Sequence, residues 1–202
     1  FGWRAVHEMT VTAKQVIAAF YGSGPEYSYW YGCSAGGRQA MMEAQRFPGD
    51  YDGIIAGAPG NDWTGRAAGS LRIANYLGAH EDAGLSAAKV ELVRMAVLEA
   101  CDAADGVIDK VVGDPERCDF DPAVLQCSGA DNGSCLTAAQ VNTVKMLYSS
   151  PENPKTGRAI TGVLPGSESN WTVLGWTRSA RASGLDQYRY LVYGDPEWTV
   201  DR

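Results

Sequence analysis

YWYGCSAGGRQA, residues 29–40, sets a cysteine directly before a serine in a glycine-rich turn. The aromatic run Tyr27–Tyr31 that leads into it predicts a short buried strand. A helix is predicted to follow from about Ala35 to Arg46, carrying Ala40, Met41, Ala44 and Phe47 and stopping before Pro48-Gly49. Tyr51–Ala58, YDGIIAGA, reads as a second strand closed by Pro59-Gly60. Strand, turn, helix and strand on this scale make a βαβ unit, so the fold class is α/β and the sheet is expected to be parallel. Upstream, Val6, Met9, Ala13, Val16, Ile17 and Phe20 recur at helical spacing, and Gly22–Pro25 ends that helix.

The turn itself carries the chemistry. A nucleophilic serine on a strand-to-helix elbow has a strained backbone and an exposed hydroxyl, and needs small flanking residues because strand and helix approach closely there. Gly32-Cys33-Ser34-Ala35-Gly36 fits G-x-S-x-G in that setting. Ser34 is then the nucleophile, and the amide of Ala35 at the helix start is aimed at an oxyanion. A glycine-rich turn that merely packs tightly is the plain alternative. Glycines two before and two after mark Ser34, and not Cys33, as the apex.

Composition narrows the class. With 202 residues, 45% hydrophobic and 20% charged, the chain is an ordinary globular one. A net charge of −7 argues against a nucleic-acid or anionic-membrane partner. No stretch approaches the roughly 20 apolar residues of a membrane span. Cys101, Cys118, Cys127 and Cys135 lie in a polar, loop-rich stretch. Proximity pairs them Cys101–Cys118 and Cys127–Cys135, the larger loop contributing on the order of 3 kcal/mol. Such pairing implies an oxidising compartment, secreted or periplasmic. A zinc site is the competing reading, weakened by the lack of C-x-x-C and of a nearby His. Cys33 is left without a partner in this chain.

Beyond Asn61 the character changes. A helix is predicted from its cap Ser86 to Ala100, and another starts at Thr137, where Thr137-Ala-Ala-Gln140 is a capping box. Loops rich in Gly, Pro and Asp lie around them. Residues 1–63 therefore read as part of a catalytic core, and 64–202 as a mostly α and irregular layer.

The segments RAVHEMTVTAKQVIAAFYG, SYWYGCSAGGRQAMMEAQRFPGDYDGIIAGAP, CDAADGVIDKVVGDPERCDFDP and LPGSESNW together resemble the tannase/feruloyl esterase family, which also contains mono(2-hydroxyethyl) terephthalate hydrolase. The resemblance implies an α/β-hydrolase with a large lid inserted after the strand that follows the nucleophile helix. It implies Ser34 as nucleophile and Cys33 as half of a disulfide whose partner stands beside the catalytic His. No His-Cys dipeptide occurs here, and the order Ser, Asp, His leaves His7 and His80 poor bases, so base and acid are expected outside this chain. The chain reads as a partial α/β-hydrolase with its lid: a carboxylic-ester hydrolase acting on feruloyl, galloyl or similar aromatic esters.

Asp102, Asp105 and Asp109 surround a Gly bend in DAADGVIDKV. Oxygen donors of this kind suit a hard cation, although the spacing is not that of an EF-hand. On composition alone the stretch is a solvated acidic turn. The family resemblance implies structural calcium held by Asp102, Asp105 and Asp109 with the carbonyls of Val107 and Val111. Trp63 is a candidate for the acyl pocket, with core packing the alternative, and Trp171 and Trp176 are candidates to stack on an aryl group or to form the lid's core. Asn170-Trp-Thr172 is a glycosylation sequon. Two rivals stay open: a non-catalytic ligand-binding pseudo-hydrolase, and a cysteine-dependent hydrolase that needs Cys33 free.

Overall fold

The computed structural model describes residues 3–153, 155–157, 159, 162–172, 177 and 183–199. They divide into two compact units, Phe1–Trp63 and Thr64–Arg202.

The first unit begins with α1 (Arg4–Tyr21), which Gly22 closes in the left-handed conformation, its amide donating to the Ala18 carbonyl. A residue without a Cβ enters that conformation at little cost, which is why the helix stops there. Strand β1 (Tyr29–Cys33) then pairs in parallel with β2 (Gly53–Gly57), in the register Tyr29↔Gly53 to Cys33↔Gly57. Helix α2 (Ala35–Arg46) connects them, completing the expected βαβ unit. At the entrance to both strands Ser28 and Asp52 hold each other twice. The Ser28 amide donates to the Asp52 carboxylate and the Asp52 amide to the Ser28 carbonyl, both at 2.7 Å.

Two expectations change here. Strand β1 lies two residues further along than Tyr27–Tyr31, β2 is shorter than Tyr51–Ala58, and β1 is not buried on both faces. Trp30 turns toward α2, its indole N–H donating to the Gly36 carbonyl at 3.1 Å. Tyr29 and Tyr31 are 71% and 81% exposed. Alternation along a strand sends successive side chains to opposite faces, and α2 covers only the Trp30 face. An aromatic run signals strand propensity without saying how many faces are covered.

The second unit is helical. It comprises α3 (Trp63–Ala79, entered from the last residue of the first unit), α4 (Ala87–Cys101), α5 (Ala138–Tyr148) and the short α6 (Ser183–Asp186), which runs into a wider helical turn over Gln187–Tyr193. Ser86 caps α4 by accepting from the Lys89 amide. Thr137 and Gln140 form the predicted capping box, at 3.0 and 3.2 Å. Helix α3 falls outside the helices expected from the sequence: Asp62 stands at the capping position before Trp63, but the Gly- and Ala-rich stretch that follows has only a weak apolar stripe, from which Ala67, Ile73 and Leu77 are buried. The core joins Ile73 and Leu77 to Val90, Val93, Val97, Val141, Val144 and Trp171, among others. Trp171 is fully buried, edge-on to Tyr148 at 5.4 Å with its indole N–H on the Ser167 hydroxyl.

Disulfides Cys101–Cys118 and Cys127–Cys135 form as expected. With the thiols of Cys127 and Cys135 joined to each other, the zinc reading loses its ligands, although Asp131 lies close to both. Asp131 instead accepts from the buried Lys89 ammonium at 2.6 Å, and Lys89 also donates to the Cys135 carbonyl. That ammonium and the Gly133 amide hold the Asp131 carboxyl below the usual carboxylate range.

Candidate active site

Ser34 is the single residue between the last position of β1 and the first of α2. Its backbone lies at φ 59° and ψ −114°, a left-handed region that costs a residue with a Cβ about 1–3 kcal/mol. Two bonds impose it. The Ser34 amide donates to the Gly57 carbonyl and the Ser34 carbonyl accepts from the Arg38 amide, both at 3.0 Å.

The hydroxyl is not spent on structure. A serine in front of a helix ordinarily accepts from an amide of the first turn. Ser34 makes no such bond, and the residue is exposed. Ala35, also exposed, opens α2, so its amide belongs to the first turn, whose N–H groups find no acceptor within the helix and carry the positive end of its dipole. An unengaged hydroxyl beside unspent amides is suited to attack on a carbonyl and to holding the oxyanion that results.

Close packing sets this geometry. A Cβ on Gly32 would lie 2.5 Å from the Gly36 carbonyl oxygen, and one on Gly37 2.3 Å from the Gly57 carbonyl oxygen. Gly36, the second glycine of the motif, has nothing within 4 Å of the same position. The close packing expected around the turn is therefore met at Gly32 and Gly37, and not at Gly36, the second glycine of the pattern. Cys33 is the last residue of β1, opposite Gly57; its thiol is exposed and not disulfide-bonded within this chain. Trp63, at the start of α3, lies under the Arg38 guanidinium at 5.1 Å and is partly exposed. Arg38 was not singled out from sequence; an Arg four residues after the serine carries no signal until the fold brings Trp63 to it.

The two histidines are committed elsewhere. His7 donates from Nδ1 to the Asp50 carboxylate at 2.7 Å and stacks on Phe47 at 3.9 Å. His80 bonds the Tyr76 carbonyl at 2.8 Å and stacks on the Tyr76 ring.

In the second unit, α4 runs directly into the acidic loop. Asp102 accepts from the amides of Asp109 and Lys110, Asp105 from that of Val107, and Asp109 from that of Val111. Gly106 and Lys110, both at positive φ, fold the loop. The donor set is all oxygen, with three carboxylates, and fits a hard cation in chemistry. These carboxylates are not drawn together to the separations of a shared ion; the side-chain clusters that are, among the described residues, are Cys127–Asp131–Cys135 and His7–Glu43–Asp50. Trp171 is a core residue and offers no stacking face, while Trp176 lies outside the described residues. Asn170 and Thr172 of the sequon are exposed.

Comparison with known proteins completes the picture. The family model "Tannase and feruloyl esterase" matches residues 1–187. A probable feruloyl esterase B of Emericella nidulans is 38% identical over 204 residues, covering 100% of this chain and 39% of its own length. An uncharacterized esterase of Xanthomonas campestris is 40% identical over 178 residues, 85% of this chain and 31% of the relative. The crystal structure of feruloyl esterase B from Aspergillus oryzae superposes with a TM-score of 0.88 at 30% identity, covering 98% of this chain and 40% of that one. The chain thus spans about two fifths of the feruloyl esterases it matches. Its βαβ unit is part of an α/β-hydrolase-type fold.

Proposed function

Because the chain belongs to the tannase and feruloyl esterase family, we propose that the protein containing it is a serine carboxylic-ester hydrolase acting on esters of aromatic acids such as feruloyl or galloyl groups. The carrying observation is Ser34: exposed, held at positive φ by Gly57 and Arg38, with its hydroxyl unused by the helix it precedes.

Ser34 Oγ attacks the ester carbonyl carbon, and the Ala35 amide donates to the resulting oxyanion. Collapse expels the alcohol and leaves an acyl-Ser34 ester; water then attacks that ester and releases the acid. The base that takes the Ser34 proton, and the acid that orients it, come from the part of the protein outside residues 1–202. Cys33 forms a disulfide with a cysteine of that same part, which places the base beside Ser34. Residues 64–202 form the lid, and Trp63 with Arg38 borders the acyl side of the site.

The Asp102–Val111 loop binds calcium structurally, through Asp102, Asp105 and Asp109 with the Val107 and Val111 carbonyls. Its oxygen-only donors support this reading; the ion takes no part in the ester chemistry. Two intramolecular disulfides support a secreted or periplasmic location, and among the described residues no helix is long and apolar enough to cross a membrane.

The test is labelling of the complete protein with a fluorophosphonate, alongside hydrolysis of aryl and feruloyl esters. Label on Ser34, with activity abolished in Ser34→Ala and kept in His80→Ala, supports the proposal. An unlabelled Ser34 points to a ligand-binding module instead, and labelling of an alkylable Cys33 by iodoacetamide with loss of activity points to thiol chemistry.

A further inference from the structure

Glu43 lies on the inner face of α2, 1% exposed, and neither of its carboxylate oxygens has a hydrogen-bond partner. An ionised carboxylate left in that state is costly. Its neighbours explain why no partner exists. Glu43, Asp50 and His7 offer ligand-type atoms that all lie within 4.8 Å of one another, and Asp50 is itself a carboxylate already accepting from His7 Nδ1. Two ionised carboxylates have only acceptors to offer each other.

We propose that Glu43 is held protonated and donates that proton to Asp50, which also accepts from His7, so that the three groups form one proton-holding clamp fastening the nucleophile helix α2 to α1. One added proton gives Glu43 a hydrogen bond to Asp50 beside the one from His7 Nδ1–H and removes its charge, leaving a single neutral carbonyl oxygen of Glu43 without a partner. The other groups nearby are occupied. From α1, Lys14 donates to the Asp50 backbone carbonyl and Thr10 bonds the Tyr51 hydroxyl; from α2, Arg46 lies over Trp3. Burial, and then the Asp50 charge, push the Glu43 carboxyl above its ordinary range, with His7 opposing. A carboxyl raised in the folded state binds a proton that the unfolded chain has already released. The stability it contributes is therefore complete below the ordinary glutamate value and is lost as pH rises through the raised one.

This clamp does not depend on the esterase reading, because its readouts are unfolding and a vibrational band. Thermal unfolding of the complete protein is compared with its Glu43→Gln and Glu43→Ala variants from about pH 5 to about pH 8. An amide donates to Asp50 without needing a titratable proton. Glu43→Gln is therefore expected to equal or exceed the parent's Tm at the alkaline end and to remove part of its pH slope, whereas Glu43→Ala is less stable throughout. Infrared difference spectra of the parent show a protonated-carboxyl carbonyl band near neutrality that Glu43→Gln lacks; this readout stands even if a variant folds poorly. An unchanged slope in Glu43→Gln, or the absence of that band, overturns the proposal. So does added Zn²⁺ or Mn²⁺ that raises the parent's Tm but not that of Glu43→Gln, which assigns the three groups to a cation.

Discussion

Gly36 and Gly37 stand side by side in the first turn of α2, and the structure gives them opposite tolerances. A Cβ on Gly37 meets the Gly57 carbonyl oxygen at 2.3 Å and the Pro59 Cα at 3.0 Å. Both are backbone atoms, so relief requires the end of β2 to retreat by about 1 Å, and overpacking of this kind costs about 1–3 kcal/mol. The same Gly57 carbonyl receives the Ser34 amide. Moving it loosens the bond that holds Ser34 in its left-handed conformation, and with Ser34 as the proposed nucleophile a displacement of about 1 Å there is expected to lower turnover about 10²-fold. Gly36→Ala meets nothing within 4 Å and has no positive φ to disturb, so it is neutral or stabilises the helix by up to about 1 kcal/mol. The assay is kcat and KM for an aryl ester together with Tm, measured on the complete protein carrying each change. Gly37→Ala is expected to lose kcat far more than it raises KM and to melt lower, with Gly36→Ala near wild type. Equal activity in the two variants would refute the steric account of the elbow.

Other outcomes follow from the second unit. Trp171→Ala removes a fully buried ring and is expected to cost about 3–5 kcal/mol, read by denaturant unfolding; a cost below about 1 kcal/mol would show that the site is not core. Thr137→Ala deletes half of the capping box and is expected to cost about 1 kcal/mol, with Thr137→Asn recovering most of it; equal stability of all three would deny the cap any role. Chelation by EGTA is expected to lower the Tm of the complete protein, and Asp102→Ala to abolish that effect; a chelator-insensitive wild type sinks the calcium assignment.

The elbow was legible because its requirements are local: a strand, an apex, small neighbours and a helix all fall within a dozen residues. The caps at Ser86 and Thr137 were legible for the same reason, as were the disulfides, whose loops are short. What escaped depends on distant partners. Helix α3 has Asp62 before its first residue but a Gly- and Ala-rich body with little apolar periodicity, and core contacts from Ile73 and Leu77 hold it. The exposure of Tyr29 and Tyr31 depends on which elements cover a strand, and a propensity for extended structure does not encode that. Nothing local marks Glu43 among the polar residues of α2; what sets it apart is Asp50 and His7, which come against it from separate segments.

The reciprocal bonds between Ser28 and Asp52 bear on how this turn tolerates change elsewhere. Because they fix the offset between the two strands at its origin, the connection over residues 22–27 has little say in where the Ser34 hydroxyl comes to rest. Lengthening or shortening that connection is thus a cheap edit, whereas Asp52→Ala frees the strands to slide, and a slip of one position would turn every side chain of β1 over. The register that sets Gly57 against Ser34 is thus tied at both ends of the ladder, by Ser28 and Asp52 at its start and by the Ser34 amide at its close.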